Sequence, residues 1–259
     1  MPRALLHDRE RVIDLAWEGC LNVRDLGGLE AGNGSVVRRG ALVRADNVRT
    51  LTPAGWDALV AYGIRRIVDL RLQHELDADV ASEPPVEVVH ISVLGDFDGD
   101  TLAFYDAKLD EATDAAAYLA WSYGDFLERY HREFALAVEA IADAPEGGVV
   151  VHCMGGKDRT GLIAALVLRD AGVAIAEIAL DYAKSETNLQ PRHAAWLDAA
   201  PDEAAAHRLR MLLPTPAAVM SEVLETVEAR HGTVAGYLQA GGVSAEALER
   251  LRRRLLEPL

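Results

Sequence analysis

The segment Val149-Val150-Val151-His152-Cys153-Met154-Gly155-Gly156-Lys157-Asp158-Arg159-Thr160-Gly161 brings together the residue types needed for nucleophilic chemistry on an oxyanion. A β-branched run stops at a glycine-containing loop and passes into Leu162-Ile163-Ala164-Ala165-Leu166-Val167-Leu168, which predicts a buried strand, a tight loop and a buried helix. Such a loop turns successive backbone N–H groups into one concavity, and the helix behind it adds the positive end of its dipole. Anions bind there. A thiolate at Cys153 would be favoured by the same N–H groups and by Lys157 and Arg159, making it nucleophilic at neutral pH. The planar fork of Arg159 matches two oxygens of a phosphoryl group, and spreading charge over such oxygens is what phosphoryl transfer chiefly requires. Gly155 and Gly156 admit backbone angles and close approach that side chains would block. Thr160 can cap the helix and hydrogen-bond the sulfur. The expected phosphate cradle therefore runs from Met154 through Gly155, Gly156, Lys157, Asp158 and Arg159 to Thr160.

A Cys-to-Arg spacing of six arises by chance in roughly one chain in six of this composition, so the pair alone carries little. The preceding His152, the two glycines, the Thr-Gly ending and the strand-to-helix setting make the segment specific. It lacks the spacing of a nucleotide-binding P-loop, and no Gly-x-Ser-x-Gly elbow occurs. His90, His131 and His152 have no metal-ligand spacing, and no metal or cofactor is expected; His152 is read as a support of the loop. A Cys–His protease is disfavoured, because an arginine at the end of the loop serves a dianion and not a neutral amide.

The elements that must hold this loop follow from pattern. Strands are predicted at Val12 to Ala16, Ser35 to Arg38, Ala41 to Arg44, Arg66 to Leu70 and Val86 to Val93, with a turn at Gly32-Asn33-Gly34. Thr52-Pro53 starts a helix that ends near Gly63. Residues 117 to 143 read as one helix, Ile175 to Ser185 as another, and a last one runs through Leu248 to Leu256. Gly172 stops the helix behind the loop. The fold class expected is α/β: a short central, largely parallel sheet flanked by helices, in a single domain over residues 1–259.

The chain has 259 residues, 50% of them hydrophobic, and a net charge of −15. That balance disfavours nucleic acid and anionic membrane partners. Residues 76 to 125 hold 12 acids against one base, a net −11, and residues 96–125 read as an acidic helical lid or insertion. The longest apolar stretch, Leu162 to Leu168, is far too short to span a bilayer, and Met1 to Glu10 turns charged before a signal sequence could form. Two cysteines, Cys20 and Cys153, give no disulfide framework, and a cytoplasmic location is expected.

The segment resembles the His-Cys-x5-Arg-Thr-Gly signature of the cysteine-dependent protein-tyrosine phosphatase superfamily, and most closely a bacterial tyrosine/serine phosphatase family. That family is similar also in Asn22-Val23-Arg24-Asp25-Leu26-Gly27-Gly28, Val43-Arg44-Ala45-Asp46, Asp69-Leu70-Arg71, Gly236-Tyr237-Leu238 and Gly242-Val243-Ser244. The resemblance implies a protein-tyrosine-phosphatase-like fold and metal-independent hydrolysis of phosphomonoesters through a phosphocysteine, with inorganic phosphate as product. It implies phosphotyrosine as substrate, with phosphoserine, phosphothreonine or phosphoinositide also open. The general acid is left among Asp158, which the resemblance brings into catalysis, and Asp96, Asp98 and Asp100 on the acidic stretch. Lys157 has two readings, an extra cation for phosphoinositides or a structural partner of Asp158. Arg24, Arg44 and Arg71 can border the pocket, with Arg24 and Asp25 read as bracing a turn. A rhodanese-like sulfurtransferase and a non-catalytic phosphoprotein-binding module stand as alternatives.

Overall fold

The structure, a computed structural model, describes residues 12–79 and 83–259; the charged Met1 to Glu10 stretch lies outside the described residues. Its strands are β1 (Ile13–Asp14), β2 (Arg24–Asp25), β3 (Glu30–Ala31), β4 (Ser35–Val37), β5 (Leu42–Ala45), β6 (Ile64–Asp69), β7 (Glu87–His90), β8 (Gly148–His152) and β9 (Leu256–Pro258). Helices α1 (Pro53–Ala61) and α2 (Gln73–Asp77) precede the long crossover α3 (Gly99–Glu111), α4 (Ala115–Arg129) and α5 (His131–Ala142). After the loop come α6 (Asp158–Asp170), α7 (Ile175–Asn188), α8 (Gln190–Asp198), α9 (Glu203–Leu212), α10 (Ala217–His231), α11 (Val234–Ala240) and α12 (Ala245–Leu255).

The main sheet has the order β1-β2-β5-β8-β6-β7, and β5, β8, β6 and β7 run parallel. Ala45, His152, Asp69 and His90 are in register at the carboxyl edge, so the loop after β8 leaves the sheet where open parallel sheets place their ligands. Alternation sorts the core: Val149 and Val151 join a large cluster with α5, α6 and α10, whereas Val150, Val43 and Ile67 face a smaller one with Leu59 of α1. Being covered on both faces is why β8 reads as an unbroken valine run. Thr52 caps α1 as expected, its hydroxyl accepting from the Gly55 N–H at 3.2 Å.

Several elements differ from the pattern. The 117–143 helix is two helices, because Tyr130 leaves helical geometry at φ −111°, ψ 30° and serves as the end of one and the start of the next. The predicted strand Val12 to Ala16 pairs only over Ile13–Asp14, and Val86 to Val93 only over Glu87–His90. Helix α6 begins at Asp158, four residues before the apolar run that predicted it. A separate small sheet, β3-β4-β9, ties the C-terminus to the N-terminal hairpin. Among the described residues no helix is long and apolar enough to cross a membrane.

Candidate active site

Between β8 and α6 the chain makes the loop Cys153 to Lys157, with Cys153 buried at its base. What shapes the loop is the destination of its carbonyls. The Met154 carbonyl accepts from the Asn47 N–H at 3.2 Å and from Arg192 at 3.3 Å. Asn22 Nδ2 donates to the carbonyls of Gly155 and Gly156 at 3.0 and 3.2 Å, and Arg44 donates to those of Gly156 and Lys157 at 2.7 and 3.2 Å. With the carbonyls from Met154 to Lys157 all drawn toward the protein, the peptide planes aim their N–H groups the other way, which builds an anion-binding nest. Gly156 is required for this path. Its φ is +63°, and a Cβ there would lie 2.3 Å from the Ala45 carbonyl oxygen.

The donors behind the loop are themselves fixed by a buried ion cluster. Arg24 Nε and Arg44 Nη1 bond the two oxygens of Asp181 on α7 at 2.6 and 2.7 Å, and Arg24 also donates to Asn22 Oδ1 at 2.5 Å. Two guanidinium groups against one carboxylate leave an excess positive charge beneath the loop. Burial opposes ionisation of Asp181, yet Arg24 and Arg44 hold its carboxyl below the usual range. Burial and Arg24 push Arg44 down to about 10, against the pull of Asp181 and of Cys153. Arg24 and Asp25, expected to brace one turn together, have separate tasks because successive strand residues face opposite sides. Asp25 accepts from Gly27 N–H and Gly40 N–H at 2.9 Å each and from the Tyr62 hydroxyl at 2.7 Å.

The other expected site residues are placed as follows. Lys157 donates to the Leu212 carbonyl at 2.5 Å and lies 3.0 Å from Asp158, the structural one of its two readings. Asp158 accepts from the Tyr123 hydroxyl, which in turn lies 2.9 Å from the Tyr182 hydroxyl. Burial, with the charge of Asp158, pushes the Tyr123 hydroxyl well up, so it stays a donor. Asp158 thus turns from the nest toward α4. Thr160 sits inside the first turn of α6 and does not cap it; its buried hydroxyl has no partner among the described residues. His152 Nδ1 lies 3.3 Å from the Cys153 carbonyl oxygen, and Nε2 lies 3.4 Å from Asp69. Arg71, expected as a border residue, is locked between Asp69 and Asp79, each at 2.7 Å.

Arg159 does not reach over an open pocket alone. Its terminal nitrogens pair with both oxygens of Glu75 on α2 at 2.5 and 2.9 Å. Asp96 lies exposed after β7 with no hydrogen bond or ion pair among the described residues. Its neighbour Phe97 holds φ +31°, the only non-glycine residue with positive φ among those described. Asp98 is occupied as the cap of α3, accepting from the Thr101 N–H at 2.9 Å, and Asp100 lies in the first turn of that helix. Cys20, the other thiol, donates to the Asn47 carbonyl at 3.5 Å, and burial together with Asp46 pushes it far up.

Glu75, Asn22, Asp181 and Tyr123 were not singled out as site residues by sequence reasoning. Asn22 stood in plain view in the Asn22-to-Gly28 motif, and a buried arginine such as Arg159 demands a carboxylate partner on electrostatic grounds alone. Which acid supplies it required the fold.

The nest, with a cysteine at its base and an arginine at its end, is the arrangement expected of the phosphatase class, and comparison with known proteins shows the family. The chain matches the model of the tyrosine phosphatase family over residues 15–257 and belongs to that family. It is 32% identical over 233 residues to a protein of Cupriavidus necator named as a tyrosine-protein phosphatase, covering 87% of this chain and 83% of the relative. A tyrosine-protein phosphatase of Nostoc commune is 31% identical over 231 residues, covering 83% and 74%. The triple specificity protein phosphatase PtpB of Mycobacterium tuberculosis is 26% identical over 272 residues, covering 92% and 97%. Family membership sets aside the sulfurtransferase alternative.

Proposed function

We propose that the protein hydrolyses phosphomonoesters, phosphotyrosine in proteins foremost, through a phosphocysteine on Cys153. The observation that carries this reading is the loop whose carbonyls are pulled back by Asn22, Arg44, Asn47 and Arg192, which leaves its N–H groups to face the other way and would suit them to a tetrahedral oxyanion above the sulfur. The Cys153 thiolate attacks phosphorus, the S–P bond forms, and the bond to the phenolic oxygen breaks as an acid protonates it. Water, deprotonated by the same group, then attacks phosphorus and releases inorganic phosphate and the thiolate. Arg159 and the loop N–H groups, from Met154 to Thr160, take up the charge on the equatorial oxygens in both steps.

Asp96 is the acid in this scheme, because it stands exposed in the segment after β7, outside any helix and with no partner to serve among the described residues, whereas Asp158 is paired, Asp98 caps α3 and Asp100 is built into the first turn of that helix. Asp158 supports the step from behind, with its carboxylate held by Tyr123 and Lys157. The commitment of Lys157 to Leu212 and Asp158 favours phosphoprotein over phosphoinositide. Residues 96–125 serve as the lid in this scheme. Turnover on a phosphotyrosine peptide, a phosphoserine peptide and a phosphoinositide, with thiosulfate as a fourth substrate, tests the scheme. Phosphotyrosine is expected to be hydrolysed fastest and Cys153→Ser to abolish it; sulfide release, or a fully active Cys153→Ser, overturns it.

A further inference from the structure

We propose that Glu75 is a positioning residue for the Arg159 guanidinium, fixing which of its edges meets a bound phosphoryl group and giving up some ground-state affinity to do so. The inference rests on the reading of the Cys153 loop above and deepens it.

Glu75 is a built-in partner. Its carboxylate also accepts from the Leu72 N–H at 2.7 Å, which closes the first turn of α2 around it. The residue before that turn, Arg71, is locked between Asp69 and Asp79 at 2.7 Å each, and Asp69 stands beside His152. The segment from Asp69 to Asp79 is therefore a strap that meets the loop at both ends, at His152 and at Arg159. Only 16% of the Glu75 side chain and 13% of the Arg159 side chain are exposed. Burial resists the ionisation of Glu75, but Arg159 and the Leu72 N–H hold its carboxyl below the usual range.

The geometry selects an edge. A guanidinium has two edges that offer paired donors: the end, between its terminal nitrogens, and one side, which includes Nε. Glu75 occupies the end through both terminal nitrogens. The Nε edge is what remains for two phosphoryl oxygens, and the carboxylate keeps the plane from turning.

The charges say what this costs. Lys157 is offset by Asp158 at 3.0 Å and Arg159 by Glu75 at 2.5 Å, so neither cation presents a full unopposed charge to an arriving dianion. Attraction to the ground state depends on net charge and hardly on angle. Stabilisation of the transition state depends on two aligned donors. A residue that lowers the first while fixing the second raises kcat at the expense of KM, which is differential binding.

Glu75→Gln separates the two effects. The amide keeps one acceptor for Arg159 but faces the other nitrogen with a donor, so the charge is gone and the plane is free to turn. The measurements are kcat on a phosphotyrosine peptide, and calorimetric binding of inorganic phosphate in a Cys153→Ser background with and without Glu75→Gln. We expect kcat to fall ~10- to 100-fold while phosphate binds ~2- to 5-fold tighter. Glu75→Asp keeps the charge but loses reach, so it should show wild-type phosphate affinity with a reduced kcat. A kcat of Glu75→Gln within about twofold of wild type, or phosphate binding that weakens, overturns the proposal. Should Glu75→Gln fail to fold by thermal denaturation, Glu75→Asp decides alone, and a wild-type kcat there sinks it. A wild-type enzyme without phosphatase activity defeats the functional reading instead, and the phosphate titration still judges the pair.

Discussion

Two regions around the site hold much charge and use it in opposite ways. Beneath the loop, Arg24, Arg44 and Asp181 are buried, the two arginines bonded to Asp181 and Arg44 also to the loop carbonyls, and their charge goes into geometry. In residues 96–125 the acids are mostly exposed and serve local tasks: Asp98 and Asp114 cap helices, Asp125 meets Arg129 at 3.1 Å, and Asp106 and Asp110 share Arg208. Packing there comes from an aromatic cluster, with Phe97 stacked on Tyr105 at 5.4 Å and Tyr105 against Phe126 at 5.0 Å. Phe104 and Trp121 of the same cluster stay partly exposed. A buried charge cluster has one satisfactory arrangement, because every broken bond strands a charge; an exposed acidic pair of helices tolerates several. Under the proposed function, the first region would fix where phosphorus sits and the second would tune what reaches it.

The sharpest way to break this contrast is at the nucleophile. Cys153→Ser should lower phosphatase turnover by at least ~10⁴-fold without loss of thermal stability, since it changes one atom on a loop whose shape is set by its carbonyl partners. Residual activity near wild type would mean that the well-ordered region is scaffold only.

Asp181→Asn attacks the geometry and leaves the nucleophile. It strands Arg24 and Arg44 in the interior and should cost ~3–5 kcal/mol of stability, read by denaturant unfolding at pH 7. The sign of its pH dependence follows from the depressed carboxyl. The unfolded chain takes up the proton first as pH falls, so the stabilisation is complete above the ordinary aspartate pKa and fades through the lower folded value. The gap between wild type and variant should narrow below about pH 4. A gap independent of pH would show that Asp181 acts by packing alone.

Sequence made the nest legible because its signals are local: a valine run, glycines, and cysteine and arginine six apart on one short stretch. Thr52 at the start of α1 was legible for the same reason. The partners were not, because each comes from far along the chain. Asp181 lies 157 residues from Arg24, and Glu75 lies 84 from Arg159. Nothing in spacing announces a contact between elements that only the sheet order brings together. The break at Tyr130 was hidden differently: the apolar period runs straight through it, and only the change of direction into α5 requires it. Thr160 was misjudged as a cap because the apolar run marks where α6 is buried and not where its hydrogen bonds begin.

Asp96→Asn probes the second region where it should matter chemically. Loss of the proton donor is expected to lower kcat by ~10²–10³-fold for alkyl or phenyl phosphates and by less for an ester whose leaving group needs no proton. An unchanged kcat on phenyl phosphate would move the role to Asp158, and the contrast between the regions would then be purely structural.

The smallest effect concerns the field. Residues 76 to 125 carry a net −11, and this should slow the approach of a dianionic substrate at low ionic strength. The Debye length shrinks from about 30 Å at 0.01 M to about 8 Å at 0.15 M, so added salt screens these exposed acids before it reaches the buried pairs. We therefore expect kcat/KM for a phosphotyrosine peptide to rise by about two- to fivefold over that range. Alkylation of Cys153 by neutral iodoacetamide should hold steady over the same range. If salt lowers kcat/KM, the attraction of the nest outweighs the acidic stretch at long range. If both rates move together, salt is changing the loop itself, and the buried cluster is less rigid than its bonds imply.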